Sequence, residues 1–103
     1  MSERTLRNYM ERTFRLPVSQ EVSAGVSEDF ILQVPISLGR IGNWEINQAI
    51  AHHFRSQGYR VTKSETTPGG FVAEKPGQTV TVYYSNGGNQ IMVTVTPLQG
   101  FRP

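Results

Sequence analysis

The feature that most constrains this chain is a change of period at Gly58. Upstream, in "LGRIGNWEINQAIAHHFRSQG", apolar residues return every three or four positions, at Ile46, Ala49, Ile50 and Phe54; downstream they alternate with polar ones. The first spacing builds one face of a helix and the second one face of a strand, so a helix must hand over to a sheet. Four alternating segments follow, at 59–65, 71–75, 79–85 and 90–96, separated by "TTPGG", "PGQ" and "NGGN". Glycine and asparagine at such joints suit tight reversals, which predicts a four-stranded antiparallel meander.

Parity then fixes the faces. A connection centred on Gly87-Gly88 pairs Tyr84 with Ile91, Val82 with Val93 and Val80 with Val95, all on one side of the sheet. A slip of one residue would set Val82 against Met92 and mix the faces. The same rule puts Phe71 opposite Val82 and Ala73 opposite Val80, with Tyr59 and Val61 beside them. Laying the helix stripe on that apolar side predicts an α+β fold, a central helix packed on a four-stranded antiparallel meander.

The central helix carries its own start and stop signals. Gly42 is the expected cap, with Ile41 packing on Ile46 as a staple and Glu45 at the third helical position; Asn43 is the alternative cap. Gly58 is expected in the left-handed conformation just past the end, and His52, His53 and Arg55 fall in the last turn, where cations suit the dipole.

Earlier in the chain, Leu6, Tyr9, Met10, Thr13 and Phe14 recur at helical spacing while Arg4, Arg7, Glu11 and Arg15 gather opposite them. This predicts an N-terminal amphipathic helix over 1–15, capped by Ser2 and stopped before Pro17. Residues 16–29 read as a loop. Phe30, Leu32, Val34 and Ile36 alternate as a strand, and Pro35, which has no N–H to donate, places that strand at an edge. Residues 97–103 read as a flexible tail.

A chain of 103 residues is expected to form a single α+β domain over 1–103, burying roughly two-thirds of its unfolded surface. Cysteine is absent, which excludes disulfides and thiol chemistry. No apolar run approaches the roughly 20 residues of a membrane-spanning helix, so a soluble, cytoplasmic chain without a membrane partner is expected.

Candidate functional residues are few. Adjacent helical histidines point about 100° apart and cannot share a metal, and no third ligand is evident, so no metal and no cofactor are expected. His53 is expected half buried against the sheet and His52 solvated. No nucleophile or acid is placed beside either, which makes the expected function non-enzymatic. "GRIG" offers backbone amides and Arg40, but its glycines are explained by a strand-to-helix turn. Glu28 and Asp29, neighbours in sequence, face opposite ways on a strand and do not form a carboxylate pair. Trp44 lies off the apolar stripe; it is expected to tuck beneath the incoming chain near Leu38 or the N-terminal helix, or else to stand exposed as a partner anchor. The outer sheet face, with Thr79, Thr81, Tyr83, Ser85, Met92, Thr94 and Thr96, is polar but almost uncharged, and Tyr83 and Met92 are its expected centre.

The order "GYRV", "GFVAEK", turn, "TVTVYY" after a helix resembles the helix and three strands of HicA-type toxins, small double-stranded-RNA-binding-like ribonucleases, over about residues 46–85. The resemblance implies that local fold. The toxins' catalytic histidine lies near the start of the second strand, where this chain reads Pro68-Gly69-Gly70-Phe71, and their closing helix is replaced here by the segment at 90–96. Their activity is not carried over.

These readings converge on a protein-interaction module, an adaptor or assembly domain, working through the N-terminal helix, the Thr/Tyr sheet face or an edge strand. Trp44, Tyr83, Met92, Thr81 and Thr94 are the candidate partner-binding residues, and edge pairing would also permit a homodimer. The alternative is a nucleic-acid binder holding phosphates with Arg4, Arg7, Arg40, Arg55, Arg60 and Lys63, whose signature would be steep salt dependence. The formal charge of +2 lacks the dense Lys/Arg patch such binders carry.

Overall fold

Local signals and observed boundaries coincide best in the central helix. In the computed structural model, which describes residues 5–20, 28–64 and 69–98, this helix, α2, spans Asn43–Ser56 with Gly42 as its cap. The Gly42 N–H donates to Glu45 Oε1 at 3.2 Å, closing the capping box. At the far end the Gly58 N–H donates to the Arg55 carbonyl and the Tyr59 N–H to the Phe54 carbonyl, each at 3.0 Å. Gly58 adopts φ 91°, and Phe54 and Tyr59 meet edge to face at 5.3 Å. Hydrogen bonds, glycine and hydrophobic contact together make a complete Schellman stop.

The N-terminal helix, α1, spans Leu6–Phe14 and is shorter than expected. Its cap is Thr5, whose hydroxyl accepts from the Asn8 N–H, rather than Ser2, which lies outside the described residues along with Arg4. The helix ends at Arg15 in the left-handed conformation, φ 57°, ahead of Pro17.

Six strands, two between the helices in the chain and four after α2, form one antiparallel sheet: β1 (Val18–Gln20), β2 (Glu28–Gln33), β3 (Arg60–Lys63), β4 (Gly70–Lys75), β5 (Gln78–Asn86) and β6 (Gln90–Leu98), in the order β1-β2-β6-β5-β4-β3. The meander β3 to β6 is therefore two-thirds of a larger sheet. Three expectations are corrected here. Residues 18–20 are a strand, not loop, and β2 is internal, flanked by β1 and β6. Pro35 does not hold β2 at an edge because β2 ends at Gln33; Pro35 instead caps a single 3-10 turn, Ile36–Leu38. Residues 97 and 98, read as tail, extend β6, where Pro97 pairs with Val80.

The last hairpin keeps its faces but shifts its partners by two. Tyr84 lies opposite Val93 and Val82 opposite Val95, because the closing pair is Gly87 with Gln90 (N–H···O 2.8 Å) and the loop is Gly88-Asn89. Gly88 supplies the positive φ, 89°, at the first loop position. The Asn89 carbonyl also accepts from the Val34 N–H at 2.8 Å, tying this turn to the end of β2. A slide of two preserves parity, so every core residue remains on the core side.

Both helices lie on the apolar face. Ile46, Ala49, Ile50 and Phe54 of α2 join Leu6 and Met10 of α1, Phe30 and Leu32 of β2, and the inward residues of β3 to β6 in one buried cluster. The expected arrangement of one helix over four strands becomes two helices over six. Tyr84 OH donates to Asn47 Oδ1 at 2.6 Å, and Asn86 Nδ2 donates to the Ile41 carbonyl at 2.8 Å. These bonds seat the start of α2 on β5.

Candidate functional site

With both helices on one side, the other side of the sheet is left without a layer among the described residues, and its composition follows from alternation. One cross-strand row reads Ser19, Ile31, Met92 and Ser85; the next reads Asp29, Thr94, Tyr83 and Gly70; the third reads Thr96, Thr81, Val72 and Thr62. Met92 is 50% exposed and Tyr83 48%, both large apolar groups left open to water. Diagonal neighbours in the pleat, they sit at the centre of the face, as expected. Thr81 Oγ1 donates to the Thr96 carbonyl at 3.1 Å, which spends its donor internally.

Charge on this face is sparse. Asp29 stands on β2 opposite Thr94, and at the far corner Arg60 and Glu74 pair at 3.4 Å. Such an exposed pair contributes little to stability, about 0–1 kcal/mol, but it neutralises that corner. Ser19 Oγ and Asp29 Oδ1 are shielded from solvent without hydrogen-bond partners.

Thr81, Thr94, Tyr83 and Met92 are thus brought onto one surface, and Trp44 is not. Trp44 lies in the first turn of α2, in the helical layer, and is 70% exposed. It does not tuck under the preceding segment, because that segment turns away at Pro35: Ile36 and Leu38 are themselves 84% and 56% exposed. Alternation assigns Ile36 to a strand, and Leu38 is the expected cover of Trp44; the 3-10 turn that Pro35 caps exposes both instead.

No family model, curated protein or solved structure matches the chain. Its chemistry must be read from its own surfaces.

The histidines separate as their helical positions require. His53 is 4% exposed, but against α1 rather than the sheet: its ring lies 5.2 Å from Tyr9 and edge-on to Phe54 at 4.9 Å, with Gln57 Nε2 3.4 Å from its Nε2. His52 also stacks on Tyr9, at 5.9 Å, and is exposed. Among the described residues no three His, Asp or Glu side chains gather to hold a metal, and no helix is long and apolar enough to cross a membrane.

Arg4 lies outside the described residues, and Arg40, Arg55, Arg60 and Lys63 do not converge. Arg40 precedes α2 and Arg55 lies in its last turn, so the length of the helix, about 20 Å at 1.5 Å per residue, separates them. Arg60 is engaged by Glu74 on the outer face, while Lys63 lines a polar cleft with Asn43, Asn47 and Tyr84 near the start of α2. Glu28 is turned to the helical side, where its Oε2 accepts the Arg7 N–H at 3.2 Å in the first turn of α1. Burial pushes its carboxyl above the ordinary 4.5, against the lowering effect of that hydrogen bond and of the Arg7 charge.

Proposed function

We propose that this chain is a protein-interaction module whose working surface is the helix-free face of the sheet around Tyr83 and Met92. The observation that carries the reading is the pairing of two half-exposed large apolar side chains, 48% and 50% open, with a surround of threonines and serines and almost no charge. A flat patch of this kind presents an apolar centre and a hydroxyl rim, the composition on which protein partners close with water excluded from the middle. Among the described residues the cation at the corner of this face, Arg60, is paired with Glu74, which leaves little for a polyanion.

The edges favour this face over strand addition. β1 offers three residues and β3 four. Antiparallel pairing of β3 with its own copy about Val61 and Thr62 would oppose Arg60 to Lys63, two cations, the protection natural edge strands use.

Met92→Arg tests the proposal, because it places a long charged side chain at the patch centre while Met92 lies outside the core cluster. The expected result is an unchanged urea midpoint with at least a tenfold loss of affinity for proteins that the unaltered chain captures from its native extract. Capture of the same proteins by both forms would remove the sheet face as the working surface. Unfolding of Met92→Arg would assign Met92 to the structure of the sheet instead.

A further inference from the structure

A second surface, independent of the sheet face, lies between the two helices. Successive residues four apart, Trp44, Gln48 and His52, form one wall on α2, and Tyr9 and Phe14 form the other on α1. Ala49, 6% exposed, lies between them on α2, and its small side chain leaves a groove of about 380 Å³. Four aromatic rings therefore border one depression, and two of them, Tyr9 and His52, already stack at 5.9 Å.

Its electrostatics are one-sided. Aromatic faces are negative, and among the described residues no Lys or Arg lines the groove. Glu45 is the one carboxylate on the lining, and its capping bond to the Gly42 N–H uses only Oε1. Trp44, at 70% exposure, holds a large apolar face in water with nothing packed over most of it. We infer that this groove receives an arginine side chain of a partner protein, its guanidinium stacked on Trp44 and its charge met by Glu45. Arginine fits better than a purely apolar side chain because its planar cation stacks on rings and bonds a carboxylate at once. The chain carries a net charge of +2, so a cation gains nothing from the general field of the protein and must be held by the groove itself.

Trp44 is the chain's single tryptophan, so its emission reports the groove directly. The probes are acetyl-Gly-Arg-Gly-amide and its citrulline and leucine counterparts, titrated into the full chain at moderate salt. The arginine peptide is expected to shift Trp44 emission saturably and to bind about fivefold more tightly than the uncharged citrulline peptide. Glu45→Gln keeps an oxygen for the Gly42 N–H but loses the charge at the helix start, so it should weaken the arginine peptide about threefold or more while leaving the citrulline peptide unchanged and lowering the unfolding midpoint only slightly. Equal affinity for arginine and citrulline, tighter binding of leucine, or no saturation by about 10 mM of the arginine peptide would each overturn the assignment. None of these results bears on Met92→Arg, so the two surfaces stand or fall separately.

Discussion

Glu28 is the residue where local and tertiary demands conflict. Its carboxylate serves α1, accepting the Arg7 N–H at a helix start where negative charge is favoured. Its surroundings desolvate it, and desolvation is the larger effect, so the proton is held more tightly in the folded chain than in the unfolded one. A raised carboxyl pKa gives stability that is complete below the unfolded value and is lost as pH rises through the folded value. Glu28→Gln retains an oxygen for the Arg7 N–H and removes the titration. Urea unfolding at several pH values should show the wild-type chain losing stability relative to Glu28→Gln as pH rises above the ordinary carboxylate range. A difference that is flat, or of the opposite sign, would show that the helix-capping charge outweighs burial. Asp29, one position on, faces the other side of the sheet; adjacency in sequence was no guide to shared chemistry, as strand alternation requires.

The two helices end by the same backbone device with different residues. Both pass into the left-handed region, α2 at Gly58 and α1 at Arg15. Glycine adopts it without penalty, whereas a side chain brings Cβ against the following carbonyl. Space is open around Gly58, so Gly58→Ala should cost about 1 kcal/mol from conformation alone. Arg15→Gly should do the reverse and stabilise the chain by about 0.5–1 kcal/mol, since Arg15 is exposed and only its conformation is at issue. Denaturant midpoints moving in opposite directions are the expected outcome. The Gly58 stop was legible because glycine at the end of a periodic stripe is a strong signal. The Arg15 stop was not, because nothing in arginine announces a positive φ, and only the following Pro17 limited how far α1 could run.

In the assembled molecule the strand order sets the hierarchy of stability. β5 and β6 lie at the middle of six strands, with Val82, Ile91 and Val93 1% exposed or less, while β1 and β3 are short edges. Hydrogen exchange should therefore find β5 and β6 amides opening only with global unfolding, and β1 and β3 amides exchanging at least about tenfold faster. Comparable protection at β1 and β6 would contradict that order. Much of this architecture follows from interactions a few residues long. The period change at Gly58, the cap at Gly42 and the inward set Val80, Val82, Val93 and Val95 depend on helix geometry, turn chemistry and parity, each carried by neighbouring residues. The position of β2 beside β6, the recruitment of residues 18–20 to the sheet, the burial of His53 against Tyr9 and the groove beside Trp44 arise between segments distant in the chain. They are decided by which surfaces meet, and a pattern that repeats every two or four residues carries no record of its distant neighbours.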